Sequence, residues 1–583
     1  MKHVKVIITG IFIPVAMLLS CKKGNKPATA VNNDDDDNGS TVIVAPTEPT
    51  VANTQGFFLD NWTAKTWSTG NTSTVAKPAA GTTTVSVDLS QQITKVSNYV
   101  YGNNTNPFMG QMVTEPSLMA NITSLSPNIL RFPGGDLSNV YFWNVGDGKA
   151  PADAPVQQPD YQGNYSNTGY WFGNNTQSWT FTLDNYYAML QQTKSTGIIS
   201  VNYGYARYGT SAHPDQTAAH LAAQWVRYDK GRTKFWEVGN ENYGNWEAGY
   251  RINTTANRDG QPEILTGQLY GTHFKVFADS MRKAAAEVGN AIKIGIVLTE
   301  ADDQNNPGVH NWNHDVLTAA SNSPDFFVVH NYYTPYKQNS TPDVILATPV
   351  PVTASTMSWV KNSAINAGVI QKPVALDEWN IFATGSKQMV SNVAGLHAVM
   401  VLGEVLKNQF SMACRWDLAN AWDSGDDMGM FSNSSNSNGA EPGVPDWNAR
   451  PAFYYMYFFQ KFIGDHIVSS SVNGSTDIVS YGSSYTSGQA GVILVNKGNT
   501  GHVVKVNFKN FAAGSNYYYY TLNGGTDNGQ FSRKVYVNGV GPAGDGGGPT
   551  NYLSINANTA AIQGGININV PAMGAVFLVA DKK

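Results

Sequence analysis

The chain has 583 residues, more than one hydrophobic core can serve, so two or three domains are expected. Charged residues make up only 14% and the net charge is −5, which excludes a basic field for nucleic acid and leaves a polar surface of Asn, Ser, Thr, Gly and Tyr. The two cysteines, Cys21 and Cys414, lack metal-ligand spacing and cannot form a disulfide framework; Cys414 sits in the apolar run 411–416 and reads as a buried, inert thiol.

At the start of the chain Lys2 and Lys5 precede a short apolar segment, 6–19, broken by Pro14 and followed by Ser20-Cys21. It is shorter than the roughly 20 residues a spanning helix needs. Leu18-Leu19-Ser20-Cys21 resembles the lipobox of bacterial lipoproteins, which implies a signal peptide over 1–21, acylation of Cys21 and anchoring in the cell envelope. The anchor would sit in the outer membrane, on its periplasmic or surface-exposed face. A plain signal peptide and an uncleaved anchor are the alternatives. Residues 22–55, with Asp34 to Asp37 and a Pro/Thr/Val stretch, lack apolar periodicity and read as a flexible linker. Residues 56–96 form an N-terminal extension whose alternating stretch 82–89 is expected to join a β-sandwich.

From 97 to 460 strand patterns alternate with helical ones. Eight strand candidates lie at 99–102, 128–132, 197–201, 234–238, 292–297, 326–330, 374–376 and 411–416. Long helical patterns at 218–228, 265–288 and 390–406 separate several of them, which predicts a (β/α)₈ barrel. The long connection 145–185, rich in Tyr and Trp, reads as a cleft wall. Beyond 460 the helices stop. Short alternating or apolar runs with Asn-Gly turns at 473–474, 523–524 and 538–539 predict an all-β sandwich over 461–583. The Gly-rich loop 539–549 follows no strand-to-helix switch and is not a phosphate cradle.

On this count Glu241 follows the fourth strand and Glu378 ends the seventh, at the barrel face where such folds keep their chemistry. Paired carboxylates in a cleft are the equipment of glycoside hydrolysis. Four motifs, in order, carry a family resemblance: Arg131-Phe-Pro-Gly-Gly135, Trp236-Glu-Val-Gly-Asn-Glu241, His330-Asn-Tyr332 and Asp377-Glu-Trp-Asn380. Together they resemble clan A of the retaining glycoside hydrolases, and most of all family 51, the α-L-arabinofuranosidases. The resemblance implies Glu241 as general acid/base and Glu378 as nucleophile, about 5–5.5 Å apart. It places Asn240 on the sugar 2-hydroxyl and Tyr332 on the nucleophile. Tyr332 would keep that carboxylate ionised, and the neighbouring anion would keep Glu241 protonated. Arg131 and His330 are further substrate-side candidates, each balanced by a structural reading. At two positions that contact the sugar in the family, this chain differs: Asn106 stands for a Glu, and Asp136 for an Asn. Trp416, after the eighth strand, would offer a platform to a pyranose face. An endo- or exo-β-glycanase of the xylanase or glucanase type is therefore the alternative. A surface glycan-binding lipoprotein without catalysis is a second, and a polysaccharide lyase a third. No cofactor and no metal site is implied; the partners expected are a polysaccharide or oligosaccharide and the membrane.

Overall fold

The computed structural model describes residues 29–30, 41–434, 439–525 and 529–583. The lipobox and Cys21 lie outside them. No helix among the described residues is long and apolar enough to cross a membrane.

Eight parallel strands close into a barrel: β1 (Gly102–Asn104), β2 (Ile129–Phe132), β3 (Thr196–Val201), β4 (Phe235–Val238), β5 (Lys293–Val297), β6 (Phe326–Asn331), β7 (Val374–Trp379) and β8 (Met412–Arg415). A helix follows every strand, from Pro116–Ser124 after β1 to Pro451–Phe462 after β8. The strands are buried on both faces, which is why they read as nearly continuous apolar runs. Alternate side chains divide the work. Leu130, Ile199, Trp236, Val238, Phe327 and Leu376 point to the helices. Ile129, Ile198, Phe235, Phe326, Ala375 and Met412 fill the lower barrel interior.

The first strand starts later than the sequence suggested. Residues 98–100 form a 3-10 turn, and the strand pairs only from Gly102. Gly102 is needed there, because a Cβ would lie 2.5 Å from both the Ala413 carbonyl and Cys414 Sγ.

The segment 56–59 is a 3-10 turn that plugs the barrel floor. Phe58 stacks on Phe235 at 4.8 Å and meets Phe326 edge-on at 5.5 Å and Tyr99 at 5.7 Å. Part of the stretch read as a tether is tied down. Val44 N donates to Asn510 Oδ1, Glu48 pairs with Lys95 at 2.6 Å, and Gln55 is fully buried. The tether reading fails there because charge pairs and backbone bonds hold this stretch without any apolar periodicity.

Among the described residues, strands from 72–95 and from 466 onward form an eleven-stranded sheet that folds over a second core. Strand Thr83–Lys95 lies within it, antiparallel to His466–Asn473 and parallel to His502–Lys509. Two sheet strands had no sequence signal, Thr72–Thr74 and Ala557–Ala561, which pair with one another. Strands Ala490–Asn496 and Gly574–Lys582 are buried on both faces. Val492, Leu494, Val576 and Leu578 face the sandwich interior. Ile493, Val495, Phe577 and Val579 join the core shared with the barrel helices. Helix Pro451–Phe462 leads straight into this sheet.

Candidate active site

Upward from the apolar floor, the inward positions of the same strands turn polar. Arg131 on β2, Ser200 on β3, Glu237 on β4, His330 on β6 and Asp377 on β7 are all buried. A buried charge is tolerated only with partners, and Arg131 supplies them. Its Nε donates to Glu237 Oε2 (2.8 Å), and its Nη1 to Asn104 Oδ1 and Glu378 Oε2 (both 2.9 Å). Its Nη2 donates to Asn240 Oδ1 (2.8 Å), and Asp377 Oδ2 lies 3.6 Å from Nε. Ser200 adds a hydroxyl to Glu237 Oε2 at 2.5 Å.

Glu378 reaches the cleft through a change of register. Val329 sits opposite Leu376, but His330 sits opposite Glu378, so β7 carries one extra residue at Asp377. Such a bulge re-aims side chains next to a site. Tyr332 then donates its hydroxyl to Glu378 Oε1 at 2.6 Å. Glu241 is reached through a break in β4. Gly239 takes a φ of +81°, and Glu241 itself is held at +41°, a conformation that costs energy in any residue with a Cβ. Its two oxygens are bound from opposite sides: His330 Nδ1 lies 2.9 Å from Oε1, and Trp246 Nε1 donates to Oε2 at 3.1 Å. One oxygen of Glu241, one of Glu378 and a ring nitrogen of His330 all fall within 4.8 Å of one another.

His330 governs the electrostatics. Its other nitrogen lies 3.3 Å from Asp377 Oδ1, and Nδ1 is also 3.7 Å from Glu378 Oε2. Burial disfavours its charge, but Glu378, Asp377 and Glu241 outweigh burial and raise its pKa well above the usual histidine range. Burial would likewise raise Glu241; the hydrogen bond and charge of His330 overcome it, and the net shift is downward. Glu378 is shifted upward, because burial and the Glu241 charge exceed the pull of His330, Arg131 and Tyr332. These directions are the reverse of those expected from the sequence: the imidazolium of His330, which the sequence reading did not place between the two carboxylates, lowers Glu241, while burial and the Glu241 charge raise Glu378. Glu237 is pushed up to about 7, by burial first and by Asp377 next.

The cavity above this network measures about 580 Å³. Asp136, Asn240, Glu241, His330, Tyr332, Glu378 and Trp416 line it, as the sequence reading grouped them. Gly135 packs so closely on Trp416 that a Cβ there would meet the indole at 2.4 Å. Asn240 has both ends of its amide engaged, with Arg131 and with Glu247 Oε1 (2.9 Å). Arg131, fully buried, is the hub beneath the cavity rather than part of its lining. Asn106 is corrected: it is fully buried and absent from the lining. Its side-chain amide sits between Asp417 Oδ2, at 3.4 Å, and the Pro133 and Gly134 carbonyls, at 2.8 and 3.1 Å, so it props the Pro-Gly-Gly loop.

Four groups of the site were not read from the sequence. Glu237 was hidden as one polar residue in an apolar strand, where only its inward parity marks it. Trp246, Glu247 and Glu300 stand in loops. Glu247 accepts from Asn139 Nδ2 (2.6 Å) and Asn240 Nδ2, and burial lifts its pKa well above the carboxylate range. Burial and the Glu241 charge push Glu300 up to about 7. Two triads offer clustered ligand atoms, Glu237/His330/Asp377 and Glu241/His330/Glu378. Both are centred on His330, whose proton already supplies the positive charge a cation would bring.

A family model described as the alpha-L-arabinofuranosidase 1 domain matches residues 121–342, from the first barrel helix to just past β6. No curated protein matches the sequence. Among solved structures, the alpha-L-arabinofuranosidase of Thermotoga maritima in its arabinose complex is similar at 17% identity and TM-score 0.57, covering 85% of this chain and 99% of that one. The family 51 alpha-L-arabinofuranosidase of Bifidobacterium longum is similar at 14% identity and TM-score 0.59, over 86% and 100%. A Paenibacillus polymyxa xyloglucanase of glycoside hydrolase family 44 is similar at 12% and 0.53, over 86% and 100%. The fold is thus a TIM barrel with a β-sandwich, and the chain is similar to clan A glycosidases, family 51 in particular.

Proposed function

We propose that the protein is a retaining glycoside hydrolase that acts on plant-type polysaccharide or its oligosaccharides in the manner of an α-L-arabinofuranosidase. The observation that carries this reading is the pair Glu241 and Glu378, with oxygens within 4.8 Å across an open cleft and different partners on each. Two carboxyl groups about 5–5.5 Å apart leave no room for a water between one of them and the anomeric carbon, which favours double displacement. Glu378 attacks that carbon, and its charge is steadied by Arg131 and Tyr332. Glu241 protonates the departing oxygen and then takes a proton from the incoming water. The proton that His330 holds against Glu241 is the one available for the first step. A bound sugar displaces water and strengthens the burial that already favours the protonated carboxyl. Asn240, with a second N–H on Nδ2, takes the sugar 2-hydroxyl.

The test is hydrolysis of an aryl α-L-arabinofuranoside beside arabinan, xylan, β-glucan and xyloglucan, with Glu378→Ala as the control. Arabinose released with retained configuration, and lost in the variant, is the expected result; an inverted first product would sink the mechanism. A second reading rests on Trp416. An indole in the cleft lining suits a pyranose face, so shortened polymer with no aryl arabinoside cleavage would make the protein an endo- or exo-β-glycanase. Binding of polymer with no cleavage at all would leave only a surface glycan-binding protein. We also propose acylation of Cys21 and attachment to the cell envelope, on the lipobox alone; Cys21→Ala is then expected to move the protein out of the membrane fraction.

A further inference from the structure

The connection between β8 and helix Pro451–Phe462 borders the catalytic cavity at Trp416 and Met428. Its anchors are buried charges. Arg450 donates from Nη1 to Asp427 Oδ1 and to the Gly429 carbonyl, both at 2.9 Å, and from Nη2 to the Ala421 carbonyl at 3.1 Å. Asp427 Oδ1 also accepts from Gly429 N at 2.7 Å, and Arg415 Nη1 donates to the Met428 carbonyl at 2.7 Å. The turn 427–429 is thus pinned on both sides of Met428. The carbonyls of Trp416 and Met428 share one donor, Asn380 Nδ2.

The last link comes from the other domain. Arg450 Nε donates to Glu441 Oε2 at 2.9 Å. Arg533, just before the sandwich strand Tyr536–Val537, donates from Nη1 to Glu441 Oε1 at 2.9 Å and to the Pro442 carbonyl at 3.0 Å. Its guanidinium also lies 5.1 Å from the centre of the Trp422 ring. Each oxygen of the buried Glu441 therefore holds an arginine, one from the barrel and one from the sandwich.

We propose that Arg533 is a positioning residue: through Glu441 and Arg450 the sandwich sets where Met428 and Trp416 stand in the catalytic cleft. The inference rests on the hydrolase reading only in treating that cavity as the substrate cleft. Along the chain Arg533, Glu441, Arg450, Asp427 the charges alternate, and a buried charge that loses a partner must find another. With Arg533 gone, Glu441 Oε1 is left open beside Arg450, and a carboxylate with both oxygens open takes a guanidinium two-toothed. Arg450 is then drawn toward Glu441 and away from Asp427 and Gly429, and the turn that carries Met428 loses its grip. Contiguous ion pairs of this kind are a physical route by which one domain adjusts a site in another. Lysine at 533 keeps the charge for Glu441 but lacks the flat guanidinium that lies over Trp422.

The experiment uses the full-length protein and its Arg533→Ala and Arg533→Lys variants. Hydrogen exchange of the backbone over 427–429 is expected to quicken in Arg533→Ala, with β2 and β3 unchanged, and to be partly restored in Arg533→Lys. KM for arabinan or xylan oligosaccharides is expected to rise about tenfold in Arg533→Ala with kcat little moved. In a Met428→Ala background most of that rise is expected to vanish, because the effect passes through Met428. A lower melting temperature with exchange over 427–429 and KM both unmoved overturns the inference, since Arg533 would then serve stability alone. An equal rise in KM with and without Met428 overturns the route. If Arg533→Ala does not fold, Glu441→Gln, which keeps the shape and removes the charge, carries the same comparison. If the parent protein cleaves nothing, the hydrolase reading falls, and the exchange over 427–429 still decides this inference.

Discussion

Glu378 is gripped from two directions, by a guanidinium at 2.9 Å and a phenol at 2.6 Å, and each grip favours the ionised form. Tyr332→Phe removes one charge-assisted hydrogen bond without removing the ring. Turnover is expected to fall roughly 10–100-fold, the equivalent of about 1.5–3 kcal/mol, with thermal stability little changed. Steady-state kinetics beside a melting curve would show this, and unchanged kcat would remove Tyr332 from the mechanism. Glu300 makes a second prediction. Its pKa rises from an ordinary 4.5 to about 7 on folding. The folded protein therefore binds this proton more tightly than the unfolded chain, so stability is fully present below about pH 4.5 and is lost as pH climbs through 7. Melting temperature is expected to decline between pH 5 and 8, and Glu300→Gln to flatten that decline; a variant with the wild-type slope would show that another group is responsible. Residues at strand ends were legible in the sequence because a carboxylate after an apolar run is unusual. Glu237 and Glu247 were not: one hides in the parity of a strand, the other in a loop that only the folded chain brings beneath Asn240.

At the scale of elements, the barrel keeps two different ends. The lower interior is closed by the ring of Phe58 against Phe235, Phe326 and Tyr99, and the upper interior is an ion network. Phe58→Ala opens a hole in the closed end, far from the cleft, and is expected to destabilise by about 3–5 kcal/mol. Urea denaturation measures it, and a loss under 1 kcal/mol would mean the 56–59 turn merely rests on the barrel. Seven of the eight barrel strands were legible from their apolar runs, since parallel strands buried on both faces leave that signature; the first, Gly102–Asn104, is polar and begins where the expected run ends. The plug was not legible, because a single 3-10 turn has no period to detect. The bulge at Asp377 was equally silent: pairing register depends on the neighbouring strand, not on the strand that carries the extra residue.

For the molecule as a whole, barrel and sandwich share one apolar core. Ile493, Val495, Phe577 and Val579 of the sheet sit in the same cluster as Leu396, Val399, Phe458 and Phe459 of the last two barrel helices. A large apolar interface of this kind couples two domains, so unfolding is expected as one calorimetric transition, and two resolved transitions would show separable halves. Strand Thr83–Lys95 has a further consequence, one of timing. It is made before the barrel, yet both its neighbours, His466–Asn473 and His502–Lys509, are made after it. Throughout synthesis a thirteen-residue edge with one apolar face waits unpaired, an open template for pairing with another chain. A cell that makes this protein must shelter that early strand until the last part of the chain arrives to enclose it.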